Sequence, residues 1–132
     1  MLDAAGYLSY SVGVMAKPDS IGHFEQLVLT AILTLGDDAY GVTIQAKAGE
    51  LAHPKPASLG SVYVTLDRLE EKGLVSSRLS DPTPERGGRA KRCYRLEALG
   101  ELALQESALT AKRIWDAVID GFGKDRAKEW IR

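Results

Sequence analysis

Cysteine is nearly missing from this chain of 132 residues, Cys93 being the one copy. A single thiol cannot form an internal disulfide, so a disulfide-framework secreted domain is excluded and a reducing, cytoplasmic setting is expected. Histidine is scarce too. His23 and His53 stand far apart with no metal-ligand partners at useful spacing, and a lone cysteine cannot complete a zinc site, so neither metal nor cofactor is expected. Long apolar runs are absent. The best, Leu27 to Leu35, is about half of the ~18 residues that a membrane span needs. The N-terminus shows no basic segment followed by an apolar one, which argues against a secretory signal. No nucleophile motif appears, and Gly87-Gly88 is followed by basic residues in a hairpin, not by a phosphate-cradling helix. Enzymatic activity is therefore not expected.

Overall charge is nearly balanced at −1, with 45% apolar and 27% charged residues, as in an ordinary globular protein. That balance conceals a local asymmetry. Between Glu85 and Arg95, the basic residues Arg86, Arg89, Lys91, Arg92 and Arg95 face Glu85 alone, a surplus of four positive charges that leaves −5 for the rest of the chain. Because salt screens charge over roughly 10 Å, a partner responds to the local cluster more than to the total. Taken alone, the cluster reads equally well as a solvated loop.

The apolar spacing supplies the order of elements. Residues 1–20 show no sustained helical period and are expected to be an N-terminal extension. MAKPDSIGHFEQ, from Met15, reads like a natural start, so the first fourteen residues need have no role in the fold. Phe24, Leu27, Val28, Ala31, Ile32 and Leu35 then recur at three- and four-residue steps until Gly36. Asp37 or Asp38 is expected to cap a second helix near Ala39 to Leu51, with Val42, Ile44 and Ala48 inward. Ser58 caps a third helix from Leu59 to Lys72, with Gly73 at its left-handed end. Leu59, Val62, Leu66 and Leu69 form the apolar stripe of this helix, and Ser61, Thr65, Arg68 and Lys72 are expected on the opposite face.

Two short strands follow, Leu74–Leu79 and Arg92–Leu96, bracketing the basic loop. A last helix begins near Glu97 or Ala98. Its residues Leu104, Ala108, Ala111, Trp115, Val118 and Phe122 alternate four- and three-residue steps, a heptad seam. Residues from Lys124 onward are a final turn or a tail.

Three helices, a hairpin with a long basic loop and a further helix make the layout of a winged helix-turn-helix, mainly α with a small β-hairpin wing (α+β). The expected division is residues 21–97 for the winged module and 98–132 for a dimerisation helix and tail. In such modules the third helix enters the major groove and the wing meets the backbone or an adjacent minor groove. Ser61 and Thr65 offer hydroxyl contacts, Arg68 can fork onto phosphate or guanine, and Ser58 lies where helix N-terminal amides meet phosphate. Any amphipathic surface helix carries a similar polar face, and Tyr63 suits the core as well as a phosphate.

The segments Phe24–Leu29, Gly36–Gly41, Ser58–Val75 and Gly87–Leu96 together resemble the PadR family of bacterial transcriptional regulators. The likeness runs from about Gly22 to Leu104, and its Ser-x-Gly-Ser-x-Tyr…Leu-x-Arg-Leu-Glu-x-x-Gly-Leu-Val core is specific. The resemblance implies a homodimeric winged-helix DNA binder, usually a repressor, acting on a palindromic double-stranded operator. It implies that the helix after the wing makes the dimer. The heptad seam Leu104, Ala108, Ala111, Trp115, Val118 and Phe122 is the expected interface, the alternative being that this helix folds back onto the first helix of its own chain. Expected DNA contacts are Tyr40, Ser58, Ser61, Tyr63, Thr65, Arg68, Arg86, Arg89, Lys91 and Arg92. Some family members bind planar aromatic effectors in the dimer region. Trp115 could stack on one, although plain packing is the commoner role of a seam aromatic. One departure stands out: Leu96-Glu97-Ala98-Leu99-Gly100 has Glu97 where the family often has a capping Thr, so the last helix could start late or fray. A winged helix used for protein contacts is the competing reading.

Overall fold

The first helix starts where Glu25 reaches back to it. In the computed structural model, which describes residues 5–7, 20–53, 57–81 and 90–130, the backbone N–H of Gly22 donates to Glu25 Oε1 at 3.0 Å. That contact satisfies an amide which no helical carbonyl can reach. Helix α1 (His23–Leu35) follows and buries Val28, Ala31 and Ile32 of the anticipated stripe together with Leu29, which lay outside it, while Phe24, Leu27 and Leu35 are half-buried.

Asp37 and Asp38 do not cap the next helix. They belong to a 3-10 turn, Gly36–Asp38, and α2 (Gly41–Ala52) starts beyond them with Tyr40 as its N-cap residue. Thr43 replaces them: its hydroxyl accepts from the Tyr40 amide at 3.0 Å and is also hydrogen-bonded to the Asp38 carbonyl. Val42 is exposed rather than inward, while Ile44 and Ala48 are buried. Residues two apart lie about 200° around a helix, so Val42 cannot share the face of Ile44.

Helix α3 (Leu59–Glu71) has the expected cap, with Ser58 Oγ accepting from the Ser61 amide at 3.1 Å. Gly73, at φ 75°, ends the turn in the left-handed region, and the Leu74 amide returns to the Leu69 carbonyl at 2.9 Å.

Strands β1 (Val75–Leu79) and β2 (Arg92–Leu96) pair antiparallel, with Val75 opposite Leu96 and Ser77 opposite Tyr94. Alternation sends Val75, Tyr94 and Leu96 toward the helices, where they join Val28, Ile44, Leu66 and Leu69 in one core. Tyr40 bridges to Cys93, and the Tyr94 amide donates to the Ala39 carbonyl at 2.8 Å, so the start of α2 is stitched to the outer edge of β2.

The other face of the hairpin carries Ser76, Arg78, Cys93 and Arg95. Ser76 and Cys93 are buried there, although they lie on the side away from the core. Tyr7 is on this face, 7% exposed, with the Arg95 guanidinium 4.3 Å and that of Arg78 5.2 Å from its ring centroid. The expectation that the first fourteen residues have no part in the fold is therefore corrected at Tyr7. Aromatic rings attract guanidinium groups, a long-range contact that local periodicity does not reveal.

Helix α4 (Ala98–Phe122) starts on time even though Glu97 makes no side-chain cap. The Glu97 amide donates to the Leu74 carbonyl at 2.9 Å, and Ala103 is buried against the core. Tertiary anchoring thus replaces the missing cap. Further along, Leu109, Ile114, Trp115 and Phe122 stand exposed. Gly123 turns the chain at φ 93° into α5 (Lys124–Ala127) and a 3-10 turn, Lys128–Trp130. Trp130 comes back edge-on to Phe122 at 5.2 Å and to Trp115 at 6.4 Å.

Candidate nucleic-acid interface

Helix α3 presents Ser61, Val64, Asp67 and Arg68 to solvent. Thr65, expected beside Ser61 and Arg68, is only 5% exposed and drops out of the outward stripe. Its four-residue step to Leu69 places both on the same side of the helix, so it packs as part of the inner face. Ser58 holds the helix start, accepting from the Ser61 amide and donating to the Ser61 hydroxyl at 2.8 Å.

Tyr63 is both packed and exposed. Its phenol lies over Gly41 so closely that a Cβ there would be 2.3 Å from the Tyr63 hydroxyl oxygen, yet 43% of the residue remains accessible. The absent side chain at Gly41 lets α2 and α3 cross with the phenol between them. Lys72, at the end of α3, bonds Glu25 Oε2 at 2.9 Å and so ties α3 to α1.

The wing base adjoins this surface. Outside the paired strands, the Ser80 amide donates to the Lys91 carbonyl at 2.7 Å and the Lys91 amide to Ser80 Oγ at 3.1 Å. Lys91 Nζ lies 4.2 Å from the Tyr40 ring centroid, a cation-π contact. Arg92 is engaged differently: its Nη1 donates to Ser77 Oγ at 3.0 Å, and Ser77 Oγ donates to Glu70 Oε2 at 2.7 Å. Beside this pair, burial pushes the Tyr94 phenol up to about 12, and the Glu70 carboxylate adds to the shift. The phenol is consequently neutral at physiological pH. Arg86 and Arg89 lie outside the described residues.

The structure thus brings Tyr40, Tyr63, Arg68 and Lys91 onto α3 and the elements joined to it. This geometry is a helix-turn-helix with a wing, and the sequence itself decides the family. Residues 28–106 match the profile of the transcriptional regulator PadR-like family. The chain belongs to that family.

Solved structures agree with the assignment. A PadR family transcription regulator from hypervirulent Clostridium difficile R20291 is 29% identical with a TM-score of 0.59, over 76% of this chain and 98% of its own. Protein TA0346 of Thermoplasma acidophilum shares the fold at 20% identity and TM-score 0.56, over 74% of this chain and 90% of that one. The ORC1 protein of Aeropyrum pernix, solved in complex with DNA, is 27% identical with TM-score 0.55, over 70% of this chain and 26% of its own. No curated protein matches the sequence.

On this PadR-like frame, several site residues escape sequence reading. Ser77 carries no motif signal, and Glu70, although it stands in the Leu-x-Arg-Leu-Glu motif, gives no sign in the sequence of its link through Ser77 to Arg92. Thr43 does have a signal, a hydroxyl three residues into a helix, which the adjacent Asp37-Asp38 pair masks. Of the seam residues, Leu104 packs against the core of its own chain and Val118 is half-buried, whereas Ala108, Ala111, Trp115 and Phe122 are exposed.

Proposed function

We propose that this PadR-like regulator is a cytoplasmic homodimeric repressor. It would bind a palindromic operator with α3 in the major groove and the wing on the backbone or minor groove. The observation that carries the reading is the position of Lys91. Its ammonium lies against the ring of Tyr40, the N-cap residue of α2, so the cation at the foot of the basic loop is held beside the helix-turn-helix. The contact set would be Tyr40, Ser58, Ser61, Tyr63, Arg68, Lys91 and, from the loop tip, Arg86 and Arg89.

Dimerisation is supported by the exposed apolar length of α4. A groove of about 410 Å3 runs between the start of α1 and α4, lined by Ile21, His23, Gln26, Ser107, Ala111 and Ile114 among others. A second copy's α4 fits that combination of groove and exposed seam. An aromatic effector near Trp115 has less support, since Trp130 already meets that ring edge-on. Among the described helices, none is long and apolar enough to cross a membrane.

Fluorescence-anisotropy titration against the gene's own promoter at two salt concentrations tests the reading, with light scattering for mass. The expected result is specific, salt-sensitive binding by a dimer, lost in Arg89→Ala/Lys91→Ala. A folded dimer with no binding above competitor at low salt would instead mark a protein-contact module.

A further inference from the structure

Wing and recognition helix are joined by a single file of polar groups. Glu70 is in the last turn of α3, Ser77 is in the middle of β1, and Arg92 is the first residue of β2, where the wing loop rejoins the hairpin. Arg92 Nη1 donates to Ser77 Oγ, and the one proton of that hydroxyl goes to Glu70 Oε2, at 3.0 and 2.7 Å. A hydroxyl with a cation as donor on one side and an anion as acceptor on the other is polarised in one sense, so both bonds are charge-assisted. Ser77 is 7% exposed, which leaves little water to compete.

Position on the hairpin gives the contact its leverage. Beyond the pair Leu79–Arg92 the chain leaves the ladder, and a two-stranded ribbon without a second layer has little stiffness of its own. Whatever holds the last rungs sets where the loop tip lies relative to α3. Lys91 meets Tyr40 on the α2 side, and Arg92 is linked through the Ser77 hydroxyl to Glu70 on the α3 side.

We propose that Glu70, Ser77 and Arg92 form a strut that sets the angle and reach of the wing relative to α3, making Arg92 a positioning residue rather than a phosphate contact. The inference rests on the DNA-binding reading above. Its test is hydroxyl-radical footprinting on the promoter fragment, with the intact protein and the variants Ser77→Ala, Ser77→Thr, Glu70→Gln and Arg92→Ala. Ser77→Ala and Glu70→Gln are expected to keep the central protection of α3 and lose the flanking protection of the wing, with affinity down about tenfold. Ser77→Thr, which keeps the hydroxyl, restores the flanks. In a salt titration Arg92→Ala keeps the wild-type slope, whereas a lost phosphate contact would lower it by about 0.9.

Wild-type flanks in Ser77→Ala, or a slope lowered by that amount in Arg92→Ala, overturns the strut. Central and flanking protection falling together with the melting temperature would mean a merely structural role, and also overturns it. A wild-type protein that protects no duplex at all removes the DNA-binding reading itself, and the strut's role with it.

Discussion

Tyr40 and Lys91 meet across the module: the N-cap residue of α2 offers its ring, and the first cation below the wing loop sits 4.2 Å from its centroid. The helix-turn-helix and the wing are therefore mechanically joined on the α2 side. A partly exposed cation-π contact contributes about 0.5–1 kcal/mol. Tyr40→Ala should weaken promoter binding roughly two- to fivefold, read by anisotropy. Tyr40→Phe keeps the ring and should retain the Lys91 contact; an equal loss in both variants would show that the hydroxyl, and not the ring, matters.

Gly100 has no room for a side chain. A Cβ there would stand 2.0 Å from the Leu74 carbonyl oxygen, a backbone atom that cannot swing aside. Gly100→Ala should destabilise the fold by about 3 kcal/mol, since overpacking against rigid structure commonly costs that order. Gly60, also in a helix, has nothing within 4 Å of its Cβ position. Gly60→Ala should be neutral or stabilising by up to about 0.5 kcal/mol. Thermal melts of the two variants make the comparison.

The Glu25–Lys72 pair gives stability an acid limb. Burial pushes the Glu25 carboxyl up, but the Gly22 amide, the Lys72 ammonium and the more distant Arg68 outweigh it, so the group ends below its ordinary 4.5. A carboxyl lowered by folding stabilises the native state in full above its unfolded value, and that contribution is lost as pH falls through the folded value. Chemical denaturation should therefore show stability declining below about pH 4.5. Lys72→Ala should cost about 1 kcal/mol at neutral pH and flatten that decline. An unchanged acid limb in Lys72→Ala would assign it to other carboxyls.

Tyr7 shields the outer face of the hairpin. Cys93 is 2% exposed on that face, and a buried thiol reacts only when its cover opens. Tyr7→Ala, or removal of residues 1–14, should speed labelling of Cys93 by a thiol reagent and destabilise the fold by about 2 kcal/mol. Unchanged labelling in both would mean that other parts of the chain cover the thiol.

Much of this was open to reading from residues alone. The stripes Val28–Ala31–Ile32 and Val62–Leu66–Leu69, the Ser58 cap, the Gly73 stop and both strands depend on neighbours a few positions away, and periodicity records such neighbours directly. The PadR-like family followed from motifs of the same local kind. Errors fell where local signals compete. The acidic pair at Asp37-Asp38 outranked Thr43 as a cap, Val42 was grouped with Ile44, and Thr65 sat on the border between two faces of α3.

The tertiary structure decided what no local pattern contains. Gly100 is indispensable only because the Leu74 carbonyl comes to rest against it, and Tyr7 matters only because Arg78 and Arg95 flank it. Arg92 bonds Ser77, and Ser77 bonds Glu70, only because the hairpin folds back over the end of α3. Helix, strand and cap preferences are short-range steric and hydrogen-bond effects, carried by the order of residues. Close approach, charge pairing and burial between distant segments arise when the core closes, and so exist only in the folded chain.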